Sequence, residues 1–193
     1  MHEEKSAVRR LKRGDVQGLE YLATRYYDRA LHTSFLVTLD RDRAEDVVQT
    51  VFLELRRKIG RYDENRPLEP WLMRVVVNAT LDELRRDSKM AYMDEISAAD
   101  DLVQFERLLD GQALPEAAVE SAELQEAIWK ALNGLSPRQR ATVVLFYYLD
   151  MNETEISRQL QAPKSSVKWW LRAGRENLRK LLRSFAGSGQ EGK

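Results

Sequence analysis

Seven cations stand between positions 164 and 183, namely Lys164, Lys168, Arg172, Arg175, Arg179, Lys180 and Arg183, and Glu176 alone opposes them. Fixed positive charge at helical spacing does no covalent chemistry. It neutralises phosphates and, where a side chain reaches a base edge, reads sequence. A second segment, 71–89, carries Arg74, Arg85, Arg86 and Lys89. Across residues 88–120 the balance reverses, with Asp94, Glu95, Asp100, Asp101, Glu106, Asp110, Glu116 and Glu120 against Lys89 and Arg107. A net charge of +0 therefore hides a chain divided by sign, and such segments serve different partners. The basic helical ends point to phosphate. The acidic stretch points to a positively charged channel or to simple solvation.

Residues for other chemistry are missing. The chain has no Cys, which removes disulfides, thiolate zinc sites and thiol nucleophiles together and suits a reducing compartment. His2 and His32 are too few and too far apart for a histidine metal centre. There is no Gly-rich phosphate loop and no nucleophile–base pair, so no enzymatic activity, metal, cofactor or small-molecule substrate is expected. The opening Met-His-Glu-Glu-Lys lacks the apolar core of a signal peptide. The longest apolar run, Ala141 to Leu149, is far below the roughly 20 residues a membrane span needs. A cytoplasmic protein without membrane insertion is expected.

The elements that must position the charges are helical throughout, since apolar residues recur at spacings of three and four. A first block runs from about Val8 to Arg86, with helices marked by Leu19–Ala30, Val47–Ile59 and Trp71–Leu84 and a polar loop at Arg61–Pro67. A second runs from about Ala122 to Phe185. The expected architecture is all-α: two small helical domains, 1–87 and 122–186, joined by an acidic flexible linker, 88–121, and followed by a disordered tail, 187–193.

Two helix starts are legible in the second domain. Ser136-Pro137-Arg138-Gln139 has a capping serine, a proline at the first helical position and a glutamine three residues after the cap. Asn152-Glu153-Thr154-Glu155 repeats the logic. The short helix from Glu153 ends before Ala162-Pro163, and a basic helix begins near Lys164. Short capped helix, tight turn and longer basic helix make a helix-turn-helix, whose second helix enters the major groove. A helical hairpin with a solvated basic face is the plainer alternative. At ~100° per residue, Val167, Leu171, Gly174 and Leu178 face the core and Lys168, Arg172 and Arg175 face outward. Trp170 falls at the margin of the core. Trp169 falls almost opposite it, where an indole needs a partner such as a thymine methyl or a regulatory protein.

With those residues in view, the chain resembles a known family. Arg43-Ala44-Glu45-Asp46-Val47-Val48-Gln49-Thr50-Val51-Phe52 resembles the polymerase-binding helix of the sigma-70 family, in its extracytoplasmic-function (ECF) subgroup. Pro70-Trp71-Leu72-Met73-Arg74 with Asn78, Asp82, Arg85 and Arg86 resembles the promoter-melting and −10 helix of that group. Leu135-Ser136-Pro137-Arg138-Gln139-Arg140 and the helix-turn-helix after it resemble the domain that reads the −35 element. The matches cover most of residues 20–185, in family order and spacing.

The resemblance implies a division of labour. Glu45, Asp46, Gln49 and Thr50 would meet the largest subunit of core RNA polymerase, and Leu132 and Leu135 its second-largest subunit. Tyr62, Asp63, Asn65 and Arg66, with Asn78 and Asp82, would capture an unpaired −10 base, while Arg74, Arg85 and Arg86 hold the DNA backbone. Lys164, Ser165, Ser166, Lys168, Trp169, Arg172 and Arg175 would face −35 DNA. An anti-sigma protein is a further implied partner besides the polymerase and promoter DNA. Two departures stand out: Gln161 occupies a turn position where the family has glycine, and Trp169-Trp170 replaces the usual Ser-Arg pair. A stand-alone helix-turn-helix regulator using only 122–185 is the competing reading, and it would bind paired half-sites as a symmetric dimer.

Overall fold

In the computed structural model of the chain, residues 2–90 and 128–188 are described. Every regular element among them is helical, and the chain divides into two compact units after Asp87. The acidic linker reading falls almost wholly outside the described residues, as does most of the 187–193 tail; positions 187 and 188 close the last helix.

The first unit contains α1 (His2–Lys12), α2 (Val16–Thr38), α3 (Arg41–Lys58), a 3-10 turn at Ile59–Arg61, and α4 (Leu68–Met90). Aspartates cap two of these starts: the Asp15 carboxylate accepts from the Gln17 amide and that of Asp40 from the Arg43 amide. α1 buries Ala7, Val8 and Leu11. Its close seating needs Gly18, because a Cβ there would meet the Ala7 carbonyl oxygen at 2.4 Å. α3 buries Val47, Val48, Val51, Phe52 and Leu55 as its periodicity predicts. α2 buries nearly every residue from Ala30 to Thr38, so this stretch is the central element of the unit.

On α4 the buried stripe is Leu72, Met73, Val76, Val77, Thr80 and Leu81. Of the positions that mark this helix in the sequence, Leu72 and Val76 are buried and Trp71, Val75, Ala79 and Leu84 are half-buried, so the buried stripe is shifted toward Met73, Val77, Thr80 and Leu81. The reason is tertiary. Thr80 enters the core because its hydroxyl lies 2.9 Å from that of Ser34 and donates to the Val76 carbonyl.

The second unit holds a helix over 128–133 (α5), α6 (Pro137–Val143) continued by a π turn at Val144–Tyr148, α7 (Glu153–Gln159) and α8 (Lys164–Ser188). Both expected capping boxes form, at Ser136 with Gln139 and at Asn152 with Glu155. α6 and α8 cross tightly at Gly174, where a Cβ would lie 2.4 Å from Val143 Cγ2. Arg140 is buried, and burial pushes its guanidinium pKa down to about 10; its Nη1 donates to the Leu135 carbonyl at 2.8 Å.

Candidate nucleic-acid interface

α8 presents the face its periodicity predicts. Val167 and Leu171 are buried, Trp170 is half-buried with the Arg138 guanidinium 6.0 Å from its ring, and Trp169 is 60 % exposed. Ser165, Trp169 and Arg172 follow at intervals of four and three, which places them on one outward stripe. Lys164 and Lys168 are exposed beside it and Ser166 is half-buried. Arg172 pairs with Glu176 at 2.9 Å and Lys168 approaches Glu153 at 3.9 Å; both are surface contacts that a phosphate can replace. Arg175 behaves differently. Its Nε donates to the Tyr147 hydroxyl at 2.8 Å and its guanidinium lies over Phe146 and Tyr147.

The turn between α7 and α8 is held by Ser157, whose hydroxyl donates to the Ala162 carbonyl at 2.7 Å. Gln161 sits at φ 48, the left-handed geometry that explains why glycine suits the position.

In the first unit the loop after the 3-10 turn exposes Asp63, Asn65 and Arg66. The Asp63 carboxylate accepts from both the backbone and the side-chain amide of Asn65 at 3.0 Å. Tyr62 does not join them. Its ring is buried, its centroid is 5.2 Å from that of Trp71, and its hydroxyl donates to the Arg66 carbonyl. In this conformation the Tyr62 ring is a packing support under the loop.

Trp71, Arg74, Asn78, Asp82 and Arg85 are spaced by three and four along α4 and lie opposite its buried stripe. Asn78, Asp82, Arg85 and Arg86 are exposed and Arg74 is half-buried. Arg85 pairs with Asp82 and Arg86 with Glu83, each three residues apart. Trp71, half-buried at the loop end of this face, is the aromatic that sequence reasoning assigned to the core; its place at the head of the line 71–74–78–82–85 was the available signal.

α3 exposes Asp46, Gln49 and Thr50, while Glu45 is half-buried and bonded by Arg41 at 2.7 Å. Leu53, 79 % exposed, extends the Asp46–Gln49 stripe by one turn and was missed. Its signal was a leucine four residues beyond Gln49 on a polar face. Leu132 and Leu135, expected at a polymerase surface, are both buried. Their apolar side chains help form the core of the second unit.

Residues 22–90 match the family model for Sigma-70 region 2, and residues 125–178 that for Sigma-70, region 4. The chain is 30% identical over 182 residues to the ECF RNA polymerase sigma factor SigW of Bacillus subtilis, covering 94% of this chain and 97% of that protein. It is 28% identical over 153 residues to SigM of the same organism, covering 76% and 85%. Among solved structures, the sigma factor RpoE of Bartonella quintana in complex with the anti-sigma factor NepR aligns with TM-score 0.58 at 16% identity, over 85% of this chain and 96% of that one. CnrH in complex with the cytosolic domain of CnrY aligns with TM-score 0.58, also at 16% identity, over 94% and 97%. At that identity these two show a shared fold. Two family regions in order and a relative matched along nearly its whole length lead to one conclusion: the chain belongs to the sigma-70 family, as an ECF sigma factor.

Proposed function

We propose that this sigma factor divides promoter recognition between its units, the first engaging core polymerase and an unpaired −10 base, the second reading the −35 duplex. The carrying observation is that the polar sets on α3, α4 and α8 each lie on an exposed face of a helix whose other face is core, and that Asp63, Asn65 and Arg66 stand exposed in the loop that leads into α4. Asp46, Gln49, Thr50 and Leu53 offer carboxylate, amide, hydroxyl and apolar contacts to the polymerase largest subunit. Asp63, Asn65 and Arg66 supply hydrogen bonds for the edge of a flipped base, and Trp71 supplies a stacking surface beside them. Asn78 and Asp82 on α4 add an amide and a carboxylate for the base edge, while Arg74, Arg85 and Arg86 follow the DNA backbone along the helix.

In the second unit Lys164, Lys168 and Arg172 contact phosphates, and Ser165, Ser166 and Trp169 face the base edges. The protein performs no chemistry of its own and acts through the polymerase. An anti-sigma partner is part of the reading, and it is supported by the sigma factor RpoE of Bartonella quintana, which shares this fold and was solved in complex with the anti-sigma factor NepR. The cytoplasm is the compartment this function requires, and among the described residues no helix is long and apolar enough to cross a membrane.

A footprint on a cognate promoter tests the division. With core polymerase present, protection at −35 together with permanganate-reactive thymines at −10 is expected. Protection of a palindrome by the chain alone would favour the stand-alone regulator.

A further inference from the structure

α1 lies ahead of the matched family region, which starts at residue 22. Yet it makes the long-range polar contacts to the loop after the 3-10 turn. Lys12 Nζ donates to the Tyr62 carbonyl at 3.1 Å and to Glu64 Oε1 at 2.9 Å. Arg9 Nε donates to the other oxygen, Oε2, at 3.1 Å. One carboxylate at the centre of the loop is thus held on both oxygens by one helix, more than fifty residues away in sequence. Those two cations, Lys12 first and then Arg9, hold the Glu64 carboxyl below the usual carboxylate range.

α1 is itself fixed. Gly18 lets it sit against the α2 backbone, the Tyr26 hydroxyl donates to Glu4, and Arg10 pairs with Asp15 at 2.7 Å. Inside the loop, the bonds of Asp63 to Asn65 and of Tyr62 to Arg66 are local. They shape the loop; the Tyr62 ring, buried against Trp71, seats its first residue on α4, and the contacts from α1 hold its centre at Glu64.

We propose that α1 is a brace for the −10 loop, and that Lys12 and Arg9, acting through Glu64, are positioning residues for base discrimination. The inference rests on reading Asp63, Asn65 and Arg66 as base contacts. These side chains flank Glu64 in sequence, so a shift of Glu64 moves them all. Magnitudes separate precision from stability here. The Arg9, Lys12 and Glu64 side chains are 62%, 27% and 30% exposed, and partly exposed ion pairs add little to folding stability. A hydrogen-bonding reader, in contrast, must be held to within about 0.5 Å. Loss of the clamp therefore costs selectivity before it costs the fold.

The test is run-off transcription by the full chain with core polymerase, on promoters differing only in the −10 base the loop receives. Variants are the double substitution Arg9→Met with Lys12→Met, Glu64→Gln, and the conservative Lys12→Arg. The wild-type ratio between best and worst base is expected to fall roughly tenfold in the first two, the size of one base-edge contact. Lys12→Arg should retain it, and Tm should not move in any of them. A wild-type preference that survives the first two variants would overturn the brace alone. A uniform loss across all four bases with a lowered Tm would also overturn it, since that is the mark of a purely structural role. No wild-type transcript, or wild-type transcripts without base preference, would overturn the underlying reading of the loop.

Discussion

Arg175 of α8 donates from Nε to the hydroxyl of Tyr147, 2.8 Å away and 28 positions earlier in the chain. The contact exists because the helix that begins at Pro137 widens into a π turn at Val144–Tyr148, which sets Phe146 and Tyr147 side by side, 4.9 Å between centroids, under the guanidinium. π turns recur at functional positions for this reason: one extra residue re-aims neighbouring side chains. Arg175 is thus oriented while remaining exposed to a phosphate.

Tyr147→Phe keeps the ring and removes the hydrogen bond. Holoenzyme affinity for −35 duplex should drop by about 0.5–1 kcal/mol. Arg175→Ala should weaken it further and reduce the salt slope by about one. Titration at several salt concentrations measures both; an unchanged slope in Arg175→Ala would show that this side chain makes no phosphate contact.

Trp169 is the exposed aromatic on the outward stripe of α8. Trp169→Ala is expected to lower affinity for the cognate −35 duplex by about 1–3 kcal/mol, with a smaller effect on unrelated duplex. Equal loss on both, or none on either, would remove Trp169 from sequence readout. Binding to a co-purifying anti-sigma protein, measured in parallel, reports whether the same indole anchors a partner.

Gln161 holds a left-handed conformation that a Cβ disfavours by about 1–2 kcal/mol, partly offset by the greater freedom glycine has when unfolded. Gln161→Gly should therefore stabilise the second unit by about 0.5–1 kcal/mol in denaturant unfolding, without altering the helix-turn-helix. A loss of stability would mean that the Gln161 side chain contributes more than its backbone costs.

His32 has its pKa lowered, first by burial and then by the charge of Arg29. The unfolded chain, with a value near 6.5, takes up that proton first as pH falls. His32 thus contributes stability that is present above about pH 6.5 and is lost as pH falls toward the folded value. His32→Gln should flatten this part of the stability–pH profile in equilibrium unfolding. An unchanged acid slope would assign it to other groups.

Local signals were the legible ones. Ser136 and Asn152 announce their helices because a cap is decided by four consecutive residues, and the phase of α8 follows from Val167 and Leu171 against Lys168 and Trp169. What the sequence hid depends on distant partners. The place of Thr80 in the buried stripe of α4 required it to find Ser34, and an apolar count favours Val75 and Ala79 over a threonine. α1 shows three buried apolar positions, too few to announce a docked helix until Gly18 is seen beneath it. Tyr62 in a polar loop reads as an exposed ring; its burial depends on Trp71 and on the loop carbonyl of Arg66.

The most direct measurement is run-off transcription with purified core polymerase, this chain and promoter fragments from its own genome, repeated with Asp46→Ala and Gln49→Ala combined. Specific transcripts that appear with the wild-type chain and vanish with the variant are predicted. No transcripts from the wild-type chain, alongside specific binding of a palindromic duplex by the chain alone, would contradict the account.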